Sequence, residues 1–200
     1  TIKIGAAVSF NEDYMKDIVK ECHPYFDFLI PHSYQHGISD YEAYKTNAWD
    51  YTNTIKDAIH AINQYAPKET SINMEILVTE YNGAHSPGND FSNNINNLWK
   101  SLLNFEKLAN IATIDKRVSH SHFWVTHNPW GNHSDIQASD AFSRENKITP
   151  TGRSQQILAQ FIKPEIIDVK RVNGYIRAYA SHDDEHNTLS IWMVNKNDDA

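Results

Sequence analysis

Two apolar rhythms divide the chain. Up to Pro164, short continuous apolar runs alternate with stretches in which apolar residues recur three or four positions apart. The runs at 2–8, 26–35, 74–80 and 118–126 predict buried strands, because a strand covered on both faces needs no polar alternation. The stretches between them predict helices. Met15, Ile18, Val19 and Cys22 share one helical face after a capping Asn11 or Asp13, and His23-Pro24 stops that helix. Ile55, Ile59 and Ile62 line a second helix over 53–65, ahead of Pro67. Ile95, Leu98, Leu102, Leu103 and Leu108 predict a longer one near 91–110, and a last helix is expected at about 152–162. Each pair of strands is separated by enough chain for a crossover, which predicts a parallel sheet and an α/β fold.

Beyond Pro164 the rhythm changes to period two. "IIDVKRV", "YIRAYAS" and "LSIWMVN" predict short antiparallel strands joined by the turn-like "NG" and "HDDEHN". A boundary is placed there, giving an α/β unit over 1–163 and a β unit over 164–200.

Composition narrows the function. With 18 Lys and Arg against 25 Asp and Glu, the net charge of −7 leaves no basic excess to neutralise phosphates, so no nucleic-acid partner is expected. No run approaches the ~18 apolar residues that span a bilayer, so no membrane partner is expected either. No glycine-rich phosphate loop follows any strand, which disfavours a nucleotide enzyme. The single Cys22 forms no internal disulfide and says nothing about compartment. The chain opens on Thr1 inside a strand-like run and stops soon after another, so it reads as a piece of a longer protein. An extracellular or periplasmic location is the expectation, and oligomeric state is left open.

Polar residues crowd the C-terminal end of each predicted strand, where parallel α/β sheets place their sites. The second strand delivers His32 and Tyr34, two apart and therefore on one face. The third, "ILVTEYNGAH", ends on Glu80 with Tyr81 and Asn82 just beyond. The fourth delivers Trp124. Taken singly, each has an ordinary reading as a solvated, satisfied or packed side chain. Together on one rim they form a sugar site. A tyrosine hydroxyl keeps a carboxylate ionised and aimed, and an indole offers a face on which a sugar ring stacks.

These stretches resemble the second half of the (β/α)8 barrel of retaining glycoside hydrolases, with the α-L-arabinofuranosidases most similar. "IKIGAA", a strand ending in the His-x-Tyr of "PHSY", and an acid-aromatic-Asn end in "TEYN" carry the resemblance. It implies the C-terminal half of a TIM (β/α)8 barrel followed by part of an antiparallel β-sandwich. The four strands become strands five to eight. It also implies Glu80 as nucleophile and Tyr34 as its hydrogen-bonding partner, with His32, Asn82, Trp124 and Tyr81 around a carbohydrate substrate. No cofactor is implied. Arabinofuranosides, β-xylosides and the galactans and agars of related families all fit the same carboxylate chemistry, and a barrel that binds sugar without cleaving it is the other class of reading.

Retention of configuration requires a second carboxyl group, which in this clan follows an Asn-Glu pair at the end of strand four. Asn11-Glu12 imitates that pair, but only one strand lies between it and Glu80 where two are needed. Glu12 is therefore read as a first-turn helix residue, and the acid is expected upstream of Thr1. Half a barrel with an open sheet edge is expected to be unstable or inactive alone. Four histidines, 120, 122, 127 and 133, cluster in "HSHFWVTHNPWGNH". Their spacing matches no strong ligand signature, so they are read as rim histidines and no metal is expected.

Overall fold

A computed structural model describes residues 2–8, 11–35, 38, 40–46, 51–83, 96–127, 140–143, 145–167, 169 and 175–198. The first sheet comprises β1 (Gly5–Val8), β2 (Phe28–Pro31), β3 (Ser33–Tyr34), β4 (Glu75–Asn82) and β5 (Val118–Phe123). All its pairings are parallel. β2 and β3 both pair with β4 and act as one strand interrupted at His32, so the order across the sheet is β1, β2/β3, β4, β5. Sequential parallel strands joined by helical crossovers form half of a (β/α)8 barrel.

The crossovers carry α1 (Glu12–Cys22), α2 (Tyr41–Thr46), α3 (Asn53–Tyr65), α4 (Lys68–Ser71) and α5 (Leu98–Ile114). Asn11 caps α1, its side chain accepting from the backbone of Tyr14 at 3.1 Å. A 3-10 turn at His23–Tyr25 ends that helix where Pro24 removes a donor. Met15 and Val19 of α1 and Ile55, Ala58, Ala61 and Ile62 of α3 bury against Leu29, Ile76 and Val78 of the sheet. Full burial of each large aliphatic here contributes about 1.5–3 kcal/mol. α2 stands in a stretch expected to be loop; its Tyr44 is fully buried and stacks on Trp99. α5 starts at Leu98 and runs four residues past the expected end, to Ile114. The expected helical residues 91–95 lie outside the described residues, as do Trp49, the loop at Pro87-Gly88, His133 and the "NG" turn at 173–174.

α6 (Pro150–Phe161) is capped by Thr149, whose hydroxyl accepts from the Gly152 amide at 3.0 Å. A Cβ on Gly152 would lie 2.0 Å from the Ala141 carbonyl oxygen, so only glycine lets this helix start lie against that backbone. The second sheet follows as β6 (Glu165–Ile167), β7 (Ile176–Asp183) and β8 (Thr188–Asn195), all antiparallel. Tyr179 and Val194 pack on Phe105 and Ala109 of α5 and Leu158 of α6, while Leu189, Ile191 and Met193 of β8 point outward and are exposed. Helix α5 is thus enclosed between the parallel sheet and the second one, and even Lys100, Glu106 and Lys107 are buried. No helix among the described residues is long and apolar enough to cross a membrane.

Candidate active site

Backbone register decides which side chains reach the rim. Between Ile76 and Tyr81, β4 takes five residue steps where its neighbour takes four, from Leu29 to Ser33. On its other side it takes three steps from Val78 to Tyr81 while β5 takes two, from Ser121 to Phe123. Toward its C-terminal end β4 therefore carries an extra residue against each neighbour, a bulge that re-aims the strand end, while β5 has an extra residue of its own earlier, between Val118 and His120. Strict alternation would place Glu80 on the side of Ile76 and Val78, inside the helix-packed core. With the bulge, Val78 and Tyr81 both enter that core, and Thr79 and Glu80 emerge together on the other side.

One imidazole confirms that placement. His32 Nε2 lies 3.1 Å from the Thr79 hydroxyl, and Nδ1 lies 3.3 Å from Glu80 Oε2. The Nε2 contact is a hydrogen bond with the Thr79 hydroxyl, whereas the Nδ1 contact with the carboxylate is close but not aligned for one. Tyr34 donates its hydroxyl proton to the same Oε2 at 2.6 Å. Burial, and then the bond to the Glu80 carboxylate, push the Tyr34 phenol well above the ordinary tyrosine range, so it stays a proton donor at any working pH. Both contacts fall on Oε2. Among the described residues Oε1 has no hydrogen-bonding partner, and the Glu80 side chain is 28% exposed.

His32, Tyr34 and Glu80 are thus brought together as the sequence predicts. Trp124 follows β5 on the next strand, 42% exposed. Its amide donates to the Tyr81 carbonyl at 3.0 Å, its carbonyl accepts from the Asn82 side chain, and its peptide to Val125 is cis. Asn82 is fully buried, and its carbonyl accepts from the Gln35 amide at 3.1 Å. Tyr81 is not at the rim. It is 2% exposed, packs edge-on against Phe123 and donates its hydroxyl to Gln155 of α6. This corrects the expectation that it lines the sugar site, and the bulge is the reason.

Sequence reasoning also missed three supporting groups: Thr79, Asn104 and Tyr51. Asn104 of α5 accepts from the Gly83 amide at 2.6 Å, and a Cβ on Gly83 would meet Leu103 Cγ at 2.8 Å. The chain leaving Asn82 is thereby clamped to the helix. Glu12 is the first residue of α1, where a negative charge suits the helix N-terminus. It faces Asp57 of α3, whose carboxyl is pushed up by burial and then by the Glu12 charge. His120 and His122 share a face of β5 with rings 6.3 Å apart. The described residues place a different trio, Glu165, His182 and Asp184, within metal-ligand reach. There the two carboxylates occupy opposite nitrogens of one imidazole, at 3.1 and 2.9 Å, a geometry that clamps the ring rather than converging on one ion.

No protein-family model and no curated protein matches the sequence. Solved structures do. An α-L-arabinofuranosidase of family GH51 from Thermotoga petrophila superposes with a TM-score of 0.73 at 14% identity, over 98% of this chain and 43% of its own. The chain has the fold of the GH51 arabinofuranosidases. An α-L-arabinofuranosidase from Thermotoga maritima, solved as an arabinose complex, matches with a TM-score of 0.68 at 15% identity and the same coverage. A family 51 enzyme from Bifidobacterium longum matches at 0.65 and 12%, over all of this chain and 46% of its own. The likeness is one of fold, and the chain spans less than half the length of these arabinofuranosidases. It includes the half-barrel and the antiparallel sheet together.

Proposed function

We propose that the complete protein is a retaining glycoside hydrolase that forms a glycosyl-enzyme intermediate on Glu80. The observation that carries this reading is the asymmetric carboxylate: Oε2 is held by Tyr34 and His32, while Oε1 is left to attack. The hydrogen bond from Tyr34 to Oε2 fixes the direction of the carboxylate, and the His32 ring lies against the same oxygen. Trp124 supplies an apolar face for the sugar ring, and Asn82 holds the Trp124 backbone in place.

Oε1 attacks the anomeric carbon as the leaving-group oxygen takes a proton from a second carboxylic acid about 5–5.5 Å away. The same acid, now a base, then deprotonates the water that releases the sugar. Its position beside α3 makes Glu12 a poor candidate for that acid, which is assigned to a strand preceding Thr1 in the complete protein. The glycone is assigned as an α-L-arabinofuranoside, on the likeness of fold to α-L-arabinofuranosidases including one holding arabinose.

A mechanism-based covalent label, offered to the complete protein as a panel of sugars, tests nucleophile and glycone together. A mass shift on the peptide holding Glu80, strongest with the arabinofuranosyl reagent and lost in Glu80→Gln, is the expected result. Labelling elsewhere, with Glu80→Gln fully active, overturns the assignment. Sugar binding with neither labelling nor turnover would instead favour the non-cleaving barrel.

A further inference from the structure

Tyr51 sits behind the rim, 2% exposed, and is gripped at both ends. Its carbonyl accepts from Lys107 Nζ of α5 at 2.6 Å and from the Ser33 hydroxyl at 3.4 Å. Its own hydroxyl lies 3.3 Å from Nζ of Lys196, the residue that follows β8 in the second sheet. Lys196 is fully buried. Its ammonium also lies 3.3 Å from the Tyr44 carbonyl, 4.2 Å from the centre of the Tyr44 ring and 2.9 Å from Glu106 Oε2. That last contact is close but poorly aligned for a hydrogen bond, so its attraction is Coulombic. Arg177 of β7 adds a second cation 3.7 Å from the other Glu106 oxygen.

Burying ammonium groups is costly, and an aliphatic side chain would seal an interface between sheet and helix as well or better. Lys107 and Lys196 both reach Tyr51, and the Ser33 hydroxyl donates to the Tyr51 carbonyl. Ser33 is the residue between His32 and Tyr34, the two side chains that hold Glu80. We propose that Lys196, with Lys107, is a positioning residue that fixes the His32–Tyr34 segment through Tyr51, making the second sheet part of the active-site scaffold. The inference rests on Glu80 acting as the nucleophile for its kinetic reading, and on geometry alone for its structural one.

The test uses the complete protein and the variants Lys196→Met, Lys196→Arg and Tyr51→Phe. In Lys196→Met, kcat falls about fivefold to tenfold with KM within about twofold, the scale of coupling carried by buried networks. Lys196→Arg restores part of the lost kcat. Amides at 32–35 exchange with solvent about tenfold faster, while those of β7 keep their protection. An unchanged kcat with unchanged exchange at 32–35, or exchange raised uniformly along the chain, overturns the proposal. Should Lys196→Met fail to fold, Tyr51→Phe, which removes one hydroxyl and keeps the carbonyl, carries the same readings at smaller size. A protein without glycosidase turnover would end the nucleophile reading, yet the exchange measurement would still decide this one.

Discussion

Tyr34 and Glu80 lie on neighbouring parallel strands, 46 residues apart in sequence, with the phenol donating to Oε2 across 2.6 Å. The bond is partly buried, and Tyr34 loses its proton only far above neutrality. It therefore acts as a fixed donor to a carboxylate. Tyr34→Phe should leave the fold intact and reduce kcat/KM by about 10- to 100-fold, the equivalent of one hydrogen bond to a charged group. Unchanged kcat/KM in Tyr34→Phe would mean that Tyr34 does not position Glu80.

The bulge in β4 makes opposite predictions for two aromatic residues that the sequence places side by side around the site. Tyr81→Phe loses the hydroxyl held by Gln155 and should cost about 1 kcal/mol of stability, with kinetics within about twofold. Trp124→Ala removes an exposed ring and should raise KM about tenfold, with little change in melting temperature. Thermal unfolding and steady-state kinetics on both variants check the assignment of faces, and a reversed pattern would place Tyr81 at the rim after all.

Asp115 and Arg117 brace the start of β5. Arg117 pairs with Asp115 at 2.7 and 3.0 Å and reaches Asn63 of α3 at 2.9 Å and the Ser71 carbonyl at 3.0 Å. The hydrogen bond to Arg117 is the main cause holding the Asp115 carboxyl below its usual range. A depressed folded value stabilises the protein above the unfolded pKa of about 3.9, and that stability is lost as pH falls through the folded value. Asp115→Asn should cost about 1–2 kcal/mol at neutral pH, a difference that shrinks below about pH 4. Denaturant unfolding at several pH values measures it.

Gly152 offers a test of the packing that holds α6. Alanine there drives a methyl into the Ala141 carbonyl, and backbone cannot give way as a side chain tip can. Gly152→Ala should destabilise by about 1–3 kcal/mol in denaturant unfolding, although helix propensity alone favours alanine. A stabilised variant would show that the approach of the two segments is looser than this.

Much of this protein was legible in its sequence. The four apolar runs gave the parallel strands, the Ile55–Ile59–Ile62 spacing gave α3 over its full length, and the switch to period two gave the antiparallel strands, because burial on known faces leaves a periodic trace. His32 and Tyr34 were placed on one face by their spacing alone, and both reach Glu80. The structure decided what periodicity does not encode. An inserted residue in β4 reverses the faces beyond Val78, sending Tyr81 into the core and Glu80 to the rim, and register relative to neighbouring strands exists only once the sheet has formed. Likewise Lys107, Glu106 and Lys196 carry the charge of surface residues. They are buried because a second sheet, which starts about 50 residues beyond the end of α5, closes over that helix.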